Sequence, residues 1–270
     1  MKRIIYILIA AAVLSLVPAT HASAQTIDNL RPPTKPKVTN PPRKKPARKK
    51  AENKPTYNWK AKKDYSEGLA PVQDENDKWG YVDENGTPVI PCQWKFAGNF
   101  QEGLAIVLDE DDKRGFIDKT GTLVIPCQWK FAYIGFSEGL VSVQDANDKY
   151  GYIDKTGKVV IPCQWDFANP FREGMASVLG IKGSNVLWGY IDTTGTLVVQ
   201  LQWDEAWQFH EGLAAVKDPG KKLFGFIDKT GTLVVPCIWK RVNHFKNGIA
   251  RVEDANGKYH YIDKTGKIVE

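Results

Sequence analysis

Four thiols are the most reactive groups in the sequence, and they are placed alike. Cys92, Cys127 and Cys163 each follow an Ile-Pro pair and Cys237 follows Val-Pro, with a tryptophan two residues beyond every one. Four cysteines would invite disulfides, in three possible connectivities, if the chain is exported. In the fourth copy of the position, however, the residue is Leu201, and a cysteine that exchanges with leucine behaves as a small buried hydrophobe. Four free, buried thiols are therefore expected. Disulfides between neighbouring units would require Cα atoms closer than about 7 Å. The acids point the same way. Each unit offers one Asp in a tight turn and one Glu beside a glycine, whereas a hard cation needs several oxygens converging on it. Beyond His21, the histidines are His210, His244 and His260, and no serine or cysteine motif flanks them. With no nucleophile constellation, phosphate loop or dinucleotide fingerprint, the expectation is no catalysis, no metal and no cofactor.

Aromatic residues remain. Trp59, Trp94, Trp129, Trp165, Trp203 and Trp239 recur once per unit. They could form a row of stacking platforms for sugars or peptide side chains, or the core that joins one unit to the next. Their invariance favours the core. Specificity is expected where units differ, and the segment after each tryptophan differs most: Ala97-Gly98-Asn99, Ala132-Tyr133-Ile134-Gly135, Ala168-Asn169-Pro170 and Trp207-Gln208. Asn99, Tyr133, Asn169 and Trp207 are the candidate ligand contacts, and Trp207 lies outside the repeating pattern.

The elements that must position these residues are repeats. A Glu-Gly-Leu motif and its variants place glycines at Gly68, Gly103, Gly139, Gly174, Gly212 and Gly248, at intervals of 35, 36, 35, 38 and 36. A fixed period in this range indicates stacked supersecondary units sharing one continuous core. Each unit reads as a strand such as 104–108, a polar loop, a second strand such as 114–118, a tight turn and a third strand such as 122–126. A tryptophan-led segment, 128–136 in this copy, then leads into the next unit. The turn is Ile-Asp-Lys-Thr-Gly at 117–121, 153–157, 227–231 and 262–266, with variants at 82–86 and 191–195. Its Asp can cap the turn, and its Gly supplies the positive φ of a type I turn with a bulge.

Strand alternation sets Trp79 with Tyr81, Tyr150 with Tyr152, Trp188 with Tyr190 and Phe224 with Phe226 on one face. The opposite face carries Gly80, Gly115, Gly151, Gly189 and Gly225, where another backbone is expected to come close. His260 occupies that position in the last unit, which suggests an end on which nothing stacks.

The pattern Trp79-Gly80-Tyr81-Val82-Asp83 and its copies, each led by Glu-Gly-Leu-Ala-like strands and followed by Val-Ile-Pro, closely resembles the WG-containing β-repeat proteins of bacteria. The resemblance covers essentially all of 57–270. Arg114, Tyr150 and Phe224 stand where the motif has tryptophan. It implies a repeat fold and carries no common reaction. A more distant similarity, to the cell-wall-binding repeats of surface proteins, suggests a binding solenoid. The expected fold is all-β, with six tandem repeats of about 36 residues in an open β-solenoid-like array. The alternative is a closed six-bladed β-propeller, in which the segment bearing Trp59 would complete the last blade.

The chain ahead of the repeats has a different character. Residues 1–24 read as a signal peptide, with Lys2 and Arg3, an apolar run over 4–17 and Ala22-Ser23-Ala24 before Gln25. Residues 25–56 are expected to form a disordered Pro/Lys/Arg-rich tether, whose stretch 31–55 cannot bury enough apolar surface to order itself and could reach on the order of 80 Å. Residues 31–56 hold ten Lys or Arg against Glu52 alone, so the net charge of +6 comes from the tether, and 57–270 is mildly acidic with 25 basic and 29 acidic residues. Attraction to anionic envelope surfaces belongs to the tether and should be weakened by salt. Nucleic acid is not expected as a partner, nor is a membrane span after cleavage. The expected role is a non-catalytic module, periplasmic or extracellular, that presents a repeated aromatic β surface to an envelope glycan or protein. The alternative is a structural scaffold of the envelope.

Overall fold

The computed structural model describes residues 57–269. The segments read as signal peptide, 1–24, and tether, 25–56, lie outside the described residues. Within them the chain is all-β and forms six four-stranded antiparallel sheets in succession. Sheet 1 comprises Ala61–Lys62, Leu69–Gln73, Trp79–Asp83 and Pro88–Trp94. Sheets 2 to 6 begin at Phe96, Phe131, Phe167, Glu205 and Arg241 and repeat the same order. Every sheet is a meander of consecutive strands, and none closes on another.

The tryptophan-led segment proves to be more than a connection. Its two residues after the tryptophan, Phe96-Ala97 in sheet 2, pair with Leu108 and Val107 and form the sheet's first strand. Between this short strand and the next lies a second repeated hairpin turn. Glu67 and Gly68 take φ of 51° and 88°, and Ser66 and Leu69 exchange both backbone hydrogen bonds. Two consecutive positive φ values are the signature of a tight two-residue hairpin, which explains glycine at its second position. The Asp-Lys-Thr-Gly turn behaves as expected: one carboxylate oxygen of Asp118 accepts the N–H of Thr120 and of Thr122, and Gly121 takes φ of 86°.

Successive sheets bury a shared core. Tyr81 and Ile90 of sheet 1 pack against Ala97, Phe100, Ala105, Val107 and Ile117 of sheet 2, and comparable clusters fill the later joints. Tyr81, Phe116, Tyr152, Tyr190 and Phe226, equivalent in five sheets, are fully buried. Their counterpart in sheet 6, Tyr261, is 54% exposed. The array is therefore open at that end. The short strand bearing the first tryptophan segment pairs within sheet 1 rather than completing sheet 6, and the closed propeller is not formed.

His260 leads to the open end for a different reason from the one its sequence suggests. A Cβ added at Gly151 would lie 2.5 Å from the Ile161 carbonyl oxygen and 2.7 Å from the Cys163 nitrogen, both in the same sheet. The backbone that excludes a side chain is the bulged fourth strand of the unit itself, not a neighbouring unit. In sheet 6 that strand is only Ile268–Val269, and His260 occupies the space left, with Nε2 3.0 Å from Asp254 Oδ2.

Candidate functional site

Most groups with chemical potential are committed to structure. All four cysteines are free thiols. Cys237 is buried, whereas Cys92, Cys127 and Cys163 are half-buried rather than buried as expected. Burial pushes the thiols of Cys127 and Cys163 up to about 11, with the Asp109 charge adding to it at Cys127, so neither is an activated nucleophile. The recurring Asp residues cap their turns. The recurring Glu residues bind the next unit: Glu211 accepts the N–H groups of Asn247 and Gly248 and pairs with Lys264 at 3.3 Å. Glu173 and Glu67 make corresponding links to Gly212 and Gly103. Trp129, Trp203 and Trp239 are buried in the joints, and Trp94 and Trp165 pack there half-buried. The tryptophan series is core.

The variable residues stand in line. Gly98, Tyr133, Asn169, Trp207 and Asn243 each directly follow the short first strand of their sheet. Tyrosines of the preceding sheets hold the backbone at Gly98, Asn169 and Trp207, whereas phenylalanines, Phe116 and Phe226, stand in the corresponding places ahead of Tyr133 and Asn243. The Tyr81 hydroxyl donates to the Gly98 carbonyl at 2.7 Å, Tyr152 to Asn169 at 2.6 Å and Tyr190 to Trp207 at 2.7 Å. Asn169 and Trp207 are thus mounted on backbone fixed from the buried core, the arrangement that lets a binding surface stay preorganised.

Three of the four predicted contacts meet along this row. The Tyr133 hydroxyl donates to Asn169 Oδ1 at 3.1 Å, and Asn169 Nδ2 donates to Ser177 Oγ at 2.9 Å. Asn169 and Trp207 line one cleft of about 280 Å³ together with Gln208, His210 and His244. Trp207 is 38% exposed and also forms a wall of the next cleft, with Phe224, Asn243 and Tyr259. On the other side of Tyr133, an apolar cleft of about 390 Å³ is bounded by Phe96, Ile106, Phe131 and Ile134. Asn99 is the exception, because its Oδ1 is buried, meets no donor among the described residues and does not line these clefts.

Beside the row an aromatic ladder runs from sheet to sheet. Phe131 and Phe167 flank Tyr150 with ring centroids 6.0 and 5.1 Å away, and Phe167 meets Trp188 at 5.9 Å. Lys63 lies over Phe96 and Trp79 at 4.0 and 4.6 Å. Motif departures at Arg114, Tyr150 and Phe224 thus remain packing positions, with Arg114 over Phe131 at 5.4 Å.

Sequence reasoning named Gln208 only within its variable segment, weighed His210 and His244 only for catalysis, and passed over Arg241, Asn243 and Arg251. Their common signal is departure from the repeat: Arg251 stands where the other units have Pro71, Ile106, Ser142, Ser177 and Ala215. The rings of His210 and His244 stack at 4.1 Å. Burial first, then the neighbouring His244 ring, pushes His210 down to about 4, leaving it a neutral donor and acceptor at neutral pH. Among the described residues no three metal-ligating side chains cluster. A platform of exposed indole flanked by amide and imidazole groups can stack on one face of a ring and hydrogen-bond its edge.

The sequence model of the WG containing repeat matches residues 79–113, 115–150, 150–179, 188–221 and 224–259. No curated protein matches the chain in sequence. Among solved structures, BamB from Moraxella catarrhalis is similar with a TM-score of 0.42 and 14% identity, over 75% of this chain and 70% of that one. The WD40 β-propeller domain of Doa1 gives 0.31 and 16%, over 73% and 76%. A chain of the nidogen/laminin complex gives 0.36 and 10%, over 75% and 89%.

Proposed function

We propose, for a chain that belongs to the WG-containing repeat family, a non-catalytic binding role in the cell envelope, with a glycan or protein partner held along the row Tyr133, Asn169 and Trp207. The observation that carries this reading is the division of labour among residues. Groups that repeat are consumed in turns, joints and core, and groups that vary are brought into line beside open clefts. Export to the periplasm or beyond rests on the order of charge, apolar run and small residues in 1–24, and the basic segment supplies reach and a salt-sensitive attraction to anionic surfaces.

A glycan array probed with the mature chain, in parallel with a pull-down from envelope extracts, tests the reading. Retention of a saccharide or protein by the wild type and its loss in Trp207→Ala would support it. A scaffold without a small ligand would give proteins only, retained equally by Trp207→Ala. If neither approach retained a partner, the binding role would fall.

A further inference from the structure

The joint between sheets 5 and 6 differs from every other joint in carrying two guanidinium groups. Arg251 occupies a position that is apolar or small in the five preceding units, and Arg241 replaces the phenylalanine of three of them. Both line a cleft of about 310 Å³, with Trp207 and Asn243 on its wall. This lies at the small end of the range of ligand clefts, about 300–1,000 Å³.

The geometry fixes the groups. The Arg251 guanidinium centre sits 3.8 Å from the Tyr259 ring centroid. Stacking of that kind covers the flat face of the fork and leaves its N–H edges for a planar anion. Among the described residues no carboxylate pairs with Arg251. Arg241 stands beside a carboxylate instead, with Nη1 3.4 Å from Oε2 of Glu253, which is only 6% exposed and accepts no hydrogen bond at that oxygen among the described residues, while Lys240 stands 3.7 Å from the other oxygen. Two cations thus gather around one acid. Across the cleft Trp207 is held twice, by the Tyr190 hydroxyl at its carbonyl and by its edge contact with Phe224 at 5.7 Å.

We propose that this cleft is a subsite for an acidic sugar, whose carboxylate is taken by Arg251 and Arg241 and whose ring stacks on Trp207. The assignment rests on the binding role above and narrows it to a saccharide with a carboxylate. An aromatic wall suits the apolar face of a sugar ring, and the guanidinium fork suits a bidentate carboxylate. A polar end unit that serves only solubility would also tolerate arginine here. It would tolerate glutamate equally, and this separates the two readings.

The test uses the full mature chain at roughly 0.3 M salt, where attraction to the basic segment is screened. An oligogalacturonate and its methyl-esterified, neutral counterpart are titrated calorimetrically into the wild type, Arg251→Glu, Arg251→Gln and Trp207→Ala. The acid is expected to bind about ten-fold or more tightly than the ester, and both Arg251 variants should lose about that factor on the acid alone. Trp207→Ala should weaken both ligands. If Arg251→Glu unfolds, Arg251→Gln carries the same expectation. Equal binding of acid and ester, or full acid binding by a folded Arg251 variant, would overturn the acidic subsite while leaving the binding role standing. Absence of binding by the wild type to either sugar would overturn the subsite, and the array and pull-down then decide the wider role separately.

Discussion

At Gly151 an added Cβ would meet the backbone of its own fourth strand at 2.5 Å, and backbone there has no flexible end to yield. Gly151→His is therefore expected to cost several kcal/mol, in the range of overpacked special sites. His260→Gly should cost about 1 kcal/mol, for a partly exposed hydrogen bond and a strand glycine. Chemical denaturation of the two variants checks the contrast, and equal costs would contradict it. The sequence made the need for glycine legible but misplaced its cause, because a bulge within one sheet and a neighbouring sheet leave the same residue signature. The thiols were legible as free from Leu201 alone. Alkylation under denaturing, non-reducing conditions should count four of them by mass, and two or fewer would contradict this reading. Arg251 was not read, since a lone charge in a repeat resembles a solvated surface until its stacking on Tyr259 is seen.

Among the elements, the turns were the easiest to read and the short strands the hardest. Asp-Lys-Thr-Gly declares both its cap and its positive φ, whereas two residues such as Phe96-Ala97 are too short to show alternation. The same turns make stability depend on acid. The Thr120 hydroxyl, against opposing burial, holds the Asp118 carboxyl below its ordinary range, and the Gly248 N–H leads in doing so for Glu211. Carboxyls with depressed folded values contribute stability that is present above the unfolded value and lost as pH falls through the folded one. His210, pushed down to about 4, adds an earlier loss as pH falls below about 6.5, where the unfolded imidazole takes a proton. The thermal midpoint should thus be level between about pH 7 and 8, decline gently toward pH 5 and drop steeply below about pH 4, and it should fall again above about pH 9, where the unfolded thiols of Cys127 and Cys163 ionise and the folded ones do not. His210→Gln should remove the gentle phase only. A midpoint unchanged down to pH 3 would contradict the turn account.

Across the whole array the period and the six units were legible, because identical hairpins can bury their faces only against one another. The open form was expected as well, from His260, although a ring and an open array share one repeat and differ only at the ends. Tyr261 at 54% exposure, against full burial of its five counterparts, decides for the open form. In an open array the first and last units have no common core. Trp59→Ala and Ile262→Ala should then add within about 0.5 kcal/mol in a double-mutant cycle, and a larger coupling energy would indicate contact between the ends.

On the proposed function, repeated residues build this molecule and departures from the repeat bind its partner. Comparing partner retention and unfolding free energy for Trp207→Ala and Trp203→Ala tests it most directly. Trp203 is a buried joint residue and Trp207 an exposed one on the same segment. Trp203→Ala should lose about 3–5 kcal/mol of stability, whereas Trp207→Ala should stay within about 1 kcal/mol of the wild type and lose the partner. Undiminished retention by Trp207→Ala, with the chain folded, would contradict the account.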